Sequence, residues 1–310
     1  FYTIVKAIYH TNEIPWRTIM ISGHALSAQR SKISKSKAHT TSGPMALIEQ
    51  ESADALRYWA TSVKTGNDTF FNPETLAIGR RLVTKLWNAS RFAEPRLKDY
   101  VQSFFAGEAP AGLLPTDRWL LSRMEQTIAY ATHELEQGEY ATARNEIERF
   151  FWSDLCDNYL ELAKARLYRE EGAARDAAAW TLYHTLLNVL KLLSPYLPYI
   201  TEEIYQGLFR HWDGAVSIHR SCWPAPHSER IDAEAEETGK MMLELLHQVR
   251  RYKAEHNLSV GAELATLHVN VQAKFLGTLR SALVDLKSAT RAKDIVVEAS
   301  DAQDLFLRVL

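Results

Sequence analysis

Helical periodicity is strongest in the stretch Ile78-Gly-Arg-Arg-Leu-Val-Thr-Lys-Leu-Trp-Asn-Ala-Ser-Arg-Phe92. At 100° per residue, one side of this stretch is apolar, with Leu82, Leu86 and Ala89 along it. The opposite side carries Arg80, Arg81, Thr84, Lys85, Asn88 and Arg91. Asn72 and Pro73 just upstream are typical of a helix start. The pattern predicts a helix from residue 73 to about residue 93, with one face in a core and a cationic stripe on the other.

The rest of the chain is predominantly helical in pattern. Helices are predicted at 53–61, 116–137, 141–170, 174–193, 198–211 and about 236–256. Gly138, Gly172 and the prolines at 195 and 198 separate them by short connections. Short connections between long amphipathic helices are typical of a helical bundle. The predicted fold class is therefore mainly α, with the bundle at its centre.

The two ends of the chain differ from the bundle. A helix is predicted over residues 1–11 and a short apolar strand over 18–22. At the other end, residues 267–271 and 295–298 alternate as strands around a helix at about 273–288, and residues 305–309 are consistent with a third strand. The sequence predicts a small α/β unit that closes the chain.

Composition narrows the class of protein. The chain has 310 residues, 46% of them hydrophobic and 24% charged, with no apolar run long enough to span a membrane. Cys156 and Cys222 lack metal-ligand spacing and are expected to be reduced thiols, which favours a cytoplasmic protein. The formal net charge of −2 gives no overall signal for a nucleic-acid partner, so any such signal must be local. Because the chain begins at Phe1 on a helical pattern, it is expected to be part of a longer polypeptide.

Two aromatic residues lie near the cationic stripe. Phe92 lies within it and Trp87 at its margin. Arginines around an aromatic ring suit single-stranded nucleic acid, since phosphates pair with the cations and an unstacked base covers the ring. A neighbouring helix covering both rings is the alternative. Burial explains Trp87 adequately, because Trp87 borders the apolar side, and for Phe92 both interpretations stay open.

Further clusters carry weaker signals. Phe150, Phe151, Trp152 and Tyr159 recur at helical spacing and are predicted to be core. A second basic patch contains His247, Arg250, Arg251 and Lys253, either as a nucleic-acid contact or as a solvated helix face. The eleven histidines show no metal-ligand spacing, so no metal site is predicted.

A lysine-rich segment precedes the helices. Residues 32–36 read Lys-Ile-Ser-Lys-Ser, with Lys37 next. Such a segment is either a solvated loop or a polyphosphate site, in which lysines act as mobile charges and Ser34 and Ser36 add hydrogen bonds. The neighbouring sequence decides between these two interpretations.

Taken together, several segments resemble the class I aminoacyl-tRNA synthetases, and among them the valyl enzymes of the archaeal-like type. They are Ile21-Ser-Gly-His-Ala-Leu26, Lys32-Ile-Ser-Lys-Ser36, Ser52-Ala-Asp-Ala-Leu-Arg-Tyr-Trp-Ala60, the stretch Ile78 to Phe92, Phe150-Phe-Trp152, Asp157-Asn-Tyr-Leu160, Leu197-Pro-Tyr-Ile-Thr-Glu-Glu203 and Val249-Arg-Arg-Tyr-Lys253. The resemblance covers essentially the whole chain, strongly to about residue 255.

The resemblance implies roles for the lysine segment. It is similar to the KMSKS loop of the family, with Ile33 in place of methionine. In that family the loop binds ATP and stabilises the pyrophosphate leaving group when the amino acid is activated. Lys35 would be the principal catalytic lysine and Lys32 would assist it, with Ser34 and Ser36 shaping the loop. Magnesium would accompany ATP in the full enzyme.

The resemblance also implies an organisation of the chain. Residues 1–43 would end a Rossmann-type catalytic domain, 44–72 would be linking helices in contact with the tRNA stem, 73–226 the anticodon-binding bundle and 227–310 a C-terminal helix with the small α/β unit. Valine tRNA would be the partner, together with N-terminal catalytic and editing domains that this sequence lacks. The expected tRNA contacts are Arg80, Arg81, Lys85, Asn88, Arg91, Phe92, Arg250 and Arg251.

Two departures from the family pattern keep alternatives open. The HIGH tetrad that forms the other half of the adenylate site is absent, and Ala38-His39 stands where the family usually has Gly-Asn. Glycine there would let the backbone take φ > 0, which alanine does less readily. By itself the chain is expected to be inactive in amino-acid activation. The alternatives are a free-standing, non-catalytic tRNA-binding paralogue and a helical scaffold for protein interactions.

Overall fold

A computed structural model describes residues 2–26, 44–169, 171–300 and 306–309. Its first half begins with helices α1 (Tyr2–Thr11), α2 (Pro44–Glu51) and α3 (Ala53–Ala60). Two short strands, β1 (Ala25–Leu26) and β2 (Thr69–Phe70), pair in parallel. The lysine segment, with Lys32, Ser34, Lys35 and Ser36, lies outside the described residues.

The bundle follows. Its helices are α4 (Pro73–Leu97), α5 (Gln102–Ala106), α6 (Pro115–Glu136), α7 (Tyr140–Arg149), α8 (Leu160–Leu167), α9 (Ala173–Leu193), α10 (Pro198–Ile204) and α11 (Arg210–Asp213). Helix α9 is buried on all sides over most of its length and forms the centre, while α4 and α6 pack around it. The mainly α fold class predicted from the sequence is confirmed.

Two helices of the bundle contain wide turns. Residues Phe150–Tyr159 join α7 to α8 as a π-helix, and Tyr205–Phe209 do the same between α10 and α11. A π-helical turn closes hydrogen bonds from i to i+5 and therefore rotates side chains away from the positions that a 3.6-residue period predicts. Trp152 and Gly207 lie in these two segments, and both line surface openings described below.

The chain ends in the predicted α/β unit. Helix α12 (Ala233–Glu255) leads into strand β3 (Leu264–Val271), helices α13 (Ala273–Ser281) and α14 (Leu283–Thr290), and strands β4 (Ala292–Ala299) and β5 (Phe306–Val309). The strand order is β4-β3-β5, with β3 parallel to β4 and antiparallel to β5. A second apolar core joins α12 to α14 and the strands β3 and β4.

A buried ion cluster fastens α14 to the bundle. The Arg166 guanidinium on α8 bonds both oxygens of Asp117 on α6, at 2.8 Å each, and both oxygens of Asp285 on α14, at 2.7 and 2.9 Å. All three side chains are fully buried. The Tyr159 hydroxyl donates a further bond to Asp117. One guanidinium serves two carboxylates, so the hydrogen bonds that Arg166 and Tyr159 donate offset much of the cost of burying these groups.

Three expectations about elements were wrong in detail. Residues 18–22 form no strand, and Ile19 and Ile21 are 58% and 69% exposed. Their β-branched pattern is not enough, because strand preference depends on packing against a neighbouring strand. The helix expected at 273–288 is two helices that meet at Ala282, and α4 continues four residues beyond Ala93 to Leu97.

Candidate functional site: the exposed face of α4

Helix α4 is fixed by a side-chain cap at its N-terminus and by close packing along its inner face. The Asn72 side chain caps the helix by accepting a bond from the Glu74 N–H at 2.9 Å. Leu82 and Leu86 are fully buried on the inner face. Gly79 lets Tyr58 of α3 approach closely, since a Cβ at Gly79 would lie 3.0 Å from the Tyr58 Cβ. The predicted division into a core face and a polar face is therefore confirmed.

The outer face forms an open groove of about 430 Å³, here called the cationic groove. It is lined by Arg80, Arg81, Thr84, Lys85, Asn88 and Trp152. Four of the predicted tRNA contacts thus lie together in one opening. Its volume is in the range of ligand-binding clefts.

Most cations of this face are paired, and both pairs are partly exposed to solvent. Arg80 lies 3.0 Å from Glu51, and the Lys85 ammonium lies 3.4 Å from Asp157 and 4.9 Å from the centre of the Trp152 ring. Arg81 is exposed and has no ion-pair partner among the residues that the structure describes. Exposed pairs are weak, on the order of 0–1 kcal/mol, so phosphate oxygens can replace their carboxylates.

Trp152 is the aromatic residue of the groove, and the prediction that it belongs to the core is confirmed only in part, because it packs against the core without being fully buried. Phe150, Phe151 and Tyr159 are fully buried as predicted, whereas Trp152 is only half-buried. Trp152 lies in the π-helix, whose wider turns rotate side chains relative to a 3.6-residue period. No simple sequence signal marks such a turn.

Phe92 is more covered than a ring free to stack on a base would be, whereas Trp87 is more exposed than expected. Phe92 is half-buried, with the Arg96 guanidinium 4.4 Å from its ring centre and Tyr168 edge-on at 6.3 Å. Part of its ring is therefore covered already. Trp87, which was expected to be buried, is 42% exposed. It lies at the edge of the apolar face, where α10 and the following π-helix leave one side of the indole open.

Trp87 belongs to a second, smaller opening, here called the Trp87 cleft. Its volume is about 110 Å³, and it lies between α4 and the segment 203–208. Its walls are Trp87, Arg91, Glu94, Glu203, Gly207 and Leu208. Arg91 is 62% exposed and pairs with Glu94 at 2.6 Å. Arg91 thus lies in this cleft and not in the cationic groove.

The second basic patch on α12 does not form as a single surface. Arg250 bonds the Asn158 side-chain oxygen at 3.1 Å and the Asp157 carbonyl at 2.7 Å. Arg251 is 72% exposed and pairs with Glu255 on its own helix. Lys253, by contrast, is buried and donates to the Val260 and Thr290 carbonyls. The patch therefore contains at most two solvent-facing arginines, and its lysine is structural.

Within the described ranges, no group of three or more His, Cys, Asp or Glu side chains is arranged to hold a metal ion. In the same ranges, no helix is both long enough and apolar enough to cross a membrane.

Known protein families match two parts of the chain. The family model described as tRNA synthetases class I (I, L, M and V) matches residues 1–72, and the model for the anticodon-binding domain of tRNA ligase matches residues 117–269. Helix α4 lies between the two matched segments. Among solved structures, the LeuRS of Agrobacterium radiobacter K84, in a ternary complex with tRNA and LeuAMS, shares the fold with a TM-score of 0.51 and 15% identity, over 69% of this chain and 24% of that one.

The fold and the two family matches define the chain as part of a class I aminoacyl-tRNA synthetase that carries an anticodon-binding domain. Two relatives show which amino acid's synthetases the chain is similar to. The valine–tRNA ligase of Anaplasma marginale is 39% identical over all of this chain and 36% of its own length, and that of Ehrlichia ruminantium (strain Gardel) is 40% identical over 96% and 36%. The chain belongs to the valine–tRNA ligase family and spans about a third of the length of these relatives.

Proposed function

We propose that this chain is the tRNA-binding part of a valine–tRNA ligase and that the cationic groove holds the backbone of the anticodon stem-loop. The observation that carries the proposal is the grouping of Arg80, Arg81, Lys85 and Asn88 in one open groove on α4. Arginine and lysine side chains at exposed positions are the usual phosphate ligands of nucleic-acid-binding proteins. The bundle of residues 73–226 would present this surface.

The whole protein would join valine to its tRNA and convert ATP to AMP and pyrophosphate. Lys32 and Lys35 would stabilise the charge that develops on pyrophosphate, and Ser34 and Ser36 would shape the loop around ATP. These roles rest on the family resemblance. The remaining two thirds of the relatives' length would supply the other half of that site.

The test measures binding of a valine tRNA transcript to the chain by fluorescence anisotropy at several salt concentrations. Arg81→Ala removes a cation that has no ion-pair partner among the described residues, so binding should weaken at every salt concentration. The slope of log K against log salt should become shallower by about 0.7–0.9 for the lost phosphate contact. Lys293→Ala, a 72% exposed cation on β4, is the control and should leave the slope unchanged.

Two results would contradict the proposal. Either binding of the transcript by the wild-type chain does not depend on salt, or Arg81→Ala and Lys293→Ala change the slope equally. In the second case the attraction would come from overall charge and not from the groove.

A further inference from the structure

Ser52, the residue that joins α2 to α3, has a strained backbone. Its φ and ψ are 81° and 155°, a region that glycine adopts freely and that other residues rarely enter. The Ser52 side chain caps α3 by accepting a bond from the Ala55 N–H at 3.3 Å, but capping residues ordinarily have an extended backbone with negative φ. Such an outlier persists only where the surrounding contacts impose it. The contacts on the two sides of Ser52 therefore show what holds the joint.

On one side of the joint, α3 is fixed to the bundle. The buried Asp54 carboxylate accepts bonds from the backbone N–H groups of Tyr199 and Ile200, at 3.2 and 2.8 Å. The Tyr58 hydroxyl donates to the Glu148 carboxylate at 2.8 Å. These bonds attach α3 to α10 and to α7, so α3 is a fixed support for the joint.

On the other side of the joint, α2 is held loosely. None of its side chains from 45 to 51 is fully buried, and Leu47 and Ile48 are only half-buried. Glu51, its last residue, forms an ion pair with Arg80 of α4, whose Nε lies 3.0 Å from the Glu51 Oε2. Within the described ranges, this pair is the only hydrogen bond or ion pair between a side chain of α2 and another element. The position of α2 therefore depends on the Glu51–Arg80 pair.

The pair is weak, and its cation belongs to the cationic groove. Glu51 Oε2 is shielded from water yet accepts no hydrogen bond from any described residue, so the pair is held by charge alone. Arg80 is 52% exposed and lines the groove. A phosphate in the groove can accept hydrogen bonds from the guanidinium that Glu51 does not accept. Phosphate is therefore a better partner for Arg80 than Glu51 is.

We propose that the Glu51–Arg80 pair is a latch that RNA opens. When an RNA phosphate binds Arg80, Glu51 loses its partner, and α2 separates from α4 and turns about Ser52, whose backbone relaxes to negative φ. Until then Glu51 competes with RNA for Arg80, so the contact is autoinhibitory. This inference rests on the proposed function, because the cationic groove must bind RNA phosphates. The released helix is the first described element after the lysine segment in the sequence.

The first test measures the competition. Glu51→Gln removes the charge that competes for Arg80 and keeps the length of the side chain. It should bind the valine tRNA transcript about two- to fivefold more tightly, the range for one partly exposed ion pair. Asp157→Asn is the matched control, because it frees Lys85 in the same groove but lies on the π-helix and not on α2. It should strengthen binding by a similar factor, so that only the behaviour of α2 distinguishes the two variants.

The second test follows α2 itself by hydrogen–deuterium exchange of the backbone amides of residues 46–51. In the wild-type chain, adding the transcript should speed this exchange about two- to fivefold, because loss of the pair lets α2 open more often. Glu51→Gln should exchange at the faster rate without RNA and change little when RNA is added. Asp157→Asn should behave as wild type does in both conditions. Binding of a ligand to the folded state ordinarily slows exchange, so a local increase is specific to a released element.

The third test removes the strain. Ser52→Gly gives the joint a residue that adopts a φ of 81° freely, at the loss of one long cap bond. Its melting temperature should not fall, because the relief of strain offsets the entropy that glycine adds to the unfolded chain. Ser217→Gly is the matched control, since Ser217 also caps a short helical turn but has a φ of −156°. It should lower the melting temperature by about 2–4 °C. In Ser52→Gly no strain drives α2 away, so RNA should change the exchange of residues 46–51 little.

The outcomes separate this inference from the proposed function. If wild-type binding depends on salt but RNA slows the exchange of residues 46–51 or leaves it unchanged, the latch is refuted and the groove proposal stands. The latch is also refuted if Glu51→Gln binds no more tightly than wild type, or if Ser52→Gly lowers the melting temperature as much as Ser217→Gly does. Wild-type binding that does not depend on salt would refute both.

Discussion

The buried cluster around Arg166 makes a quantitative prediction about stability. In Arg166→Met the apolar stem is kept but the charge is removed, so four short bonds to Asp117 and Asp285 are lost. Both carboxylates are fully buried and would be left without a counter-charge. Removing one partner of a buried ion pair costs about 3–5 kcal/mol. We expect a loss of about 4 kcal/mol in the free energy of unfolding at pH 8.

The pH dependence of this loss has a definite sign. Burial raises the pKa of Asp285, and the Arg166 charge opposes that rise. Without Arg166 the pKa of Asp285 in the folded protein rises further above its value in the unfolded chain. The folded variant then binds more protons than the unfolded one, so its stability increases as the pH falls. The destabilisation of Arg166→Met should therefore be smaller at pH 5 than at pH 8.

Urea titration followed by circular dichroism measures both effects. Arg251→Met is the control, because its 72% exposed pair with Glu255 should contribute less than about 1 kcal/mol. Adding Asp117→Asn and Asp285→Asn to Arg166→Met removes the unpaired charges and should restore much of the loss. A loss below about 1 kcal/mol for Arg166→Met at pH 8, or a loss that grows towards pH 5, would refute the reasoning.

Two further predictions concern the interior. Gly239→Ala on α12 should lower the free energy of unfolding by about 1–3 kcal/mol in urea titration, because its Cβ would lie 2.0 Å from Trp119 Cδ1, whereas Gly261→Ala, with open space, should change it little. A result in which both variants lose equally would contradict this. Burial lowers the pKa of His184 to about 4, while the unfolded chain takes up the proton near pH 6.5. Stability should therefore fall by up to about 3 kcal/mol as the pH drops from 6.5 to 4. His184→Gln, which can still donate to the Phe105 carbonyl, should flatten that part of the pH profile; an unchanged profile would exclude His184 as its cause.

Several features of the fold could be predicted from periodicity alone. The two faces of α4, the central apolar helix α9 and the order of strands and helices at the end of the chain all follow from which side chains avoid water. The strand expected at residues 18–22 does not form. Strand formation depends on pairing with a neighbouring strand, which the local sequence does not specify. The two π-helical segments were not predicted, because the periodicity argument assumes 3.6 residues per turn throughout and nothing in the local sequence marks where hydrogen bonds from i to i+5 begin.

The candidate site, like the fold, could be predicted from the sequence only in part. The cationic residues of α4 and their grouping on one face follow from helical geometry, so they could be predicted from local sequence, as could the resemblance to the synthetase family. Which aromatic rings stay accessible depends on how the helices pack. Trp152 and Trp87 line openings, while Phe92 is partly covered by Arg96 and Tyr168. The exposure of a ring depends on what a neighbouring element covers, and that element lies far away in the sequence.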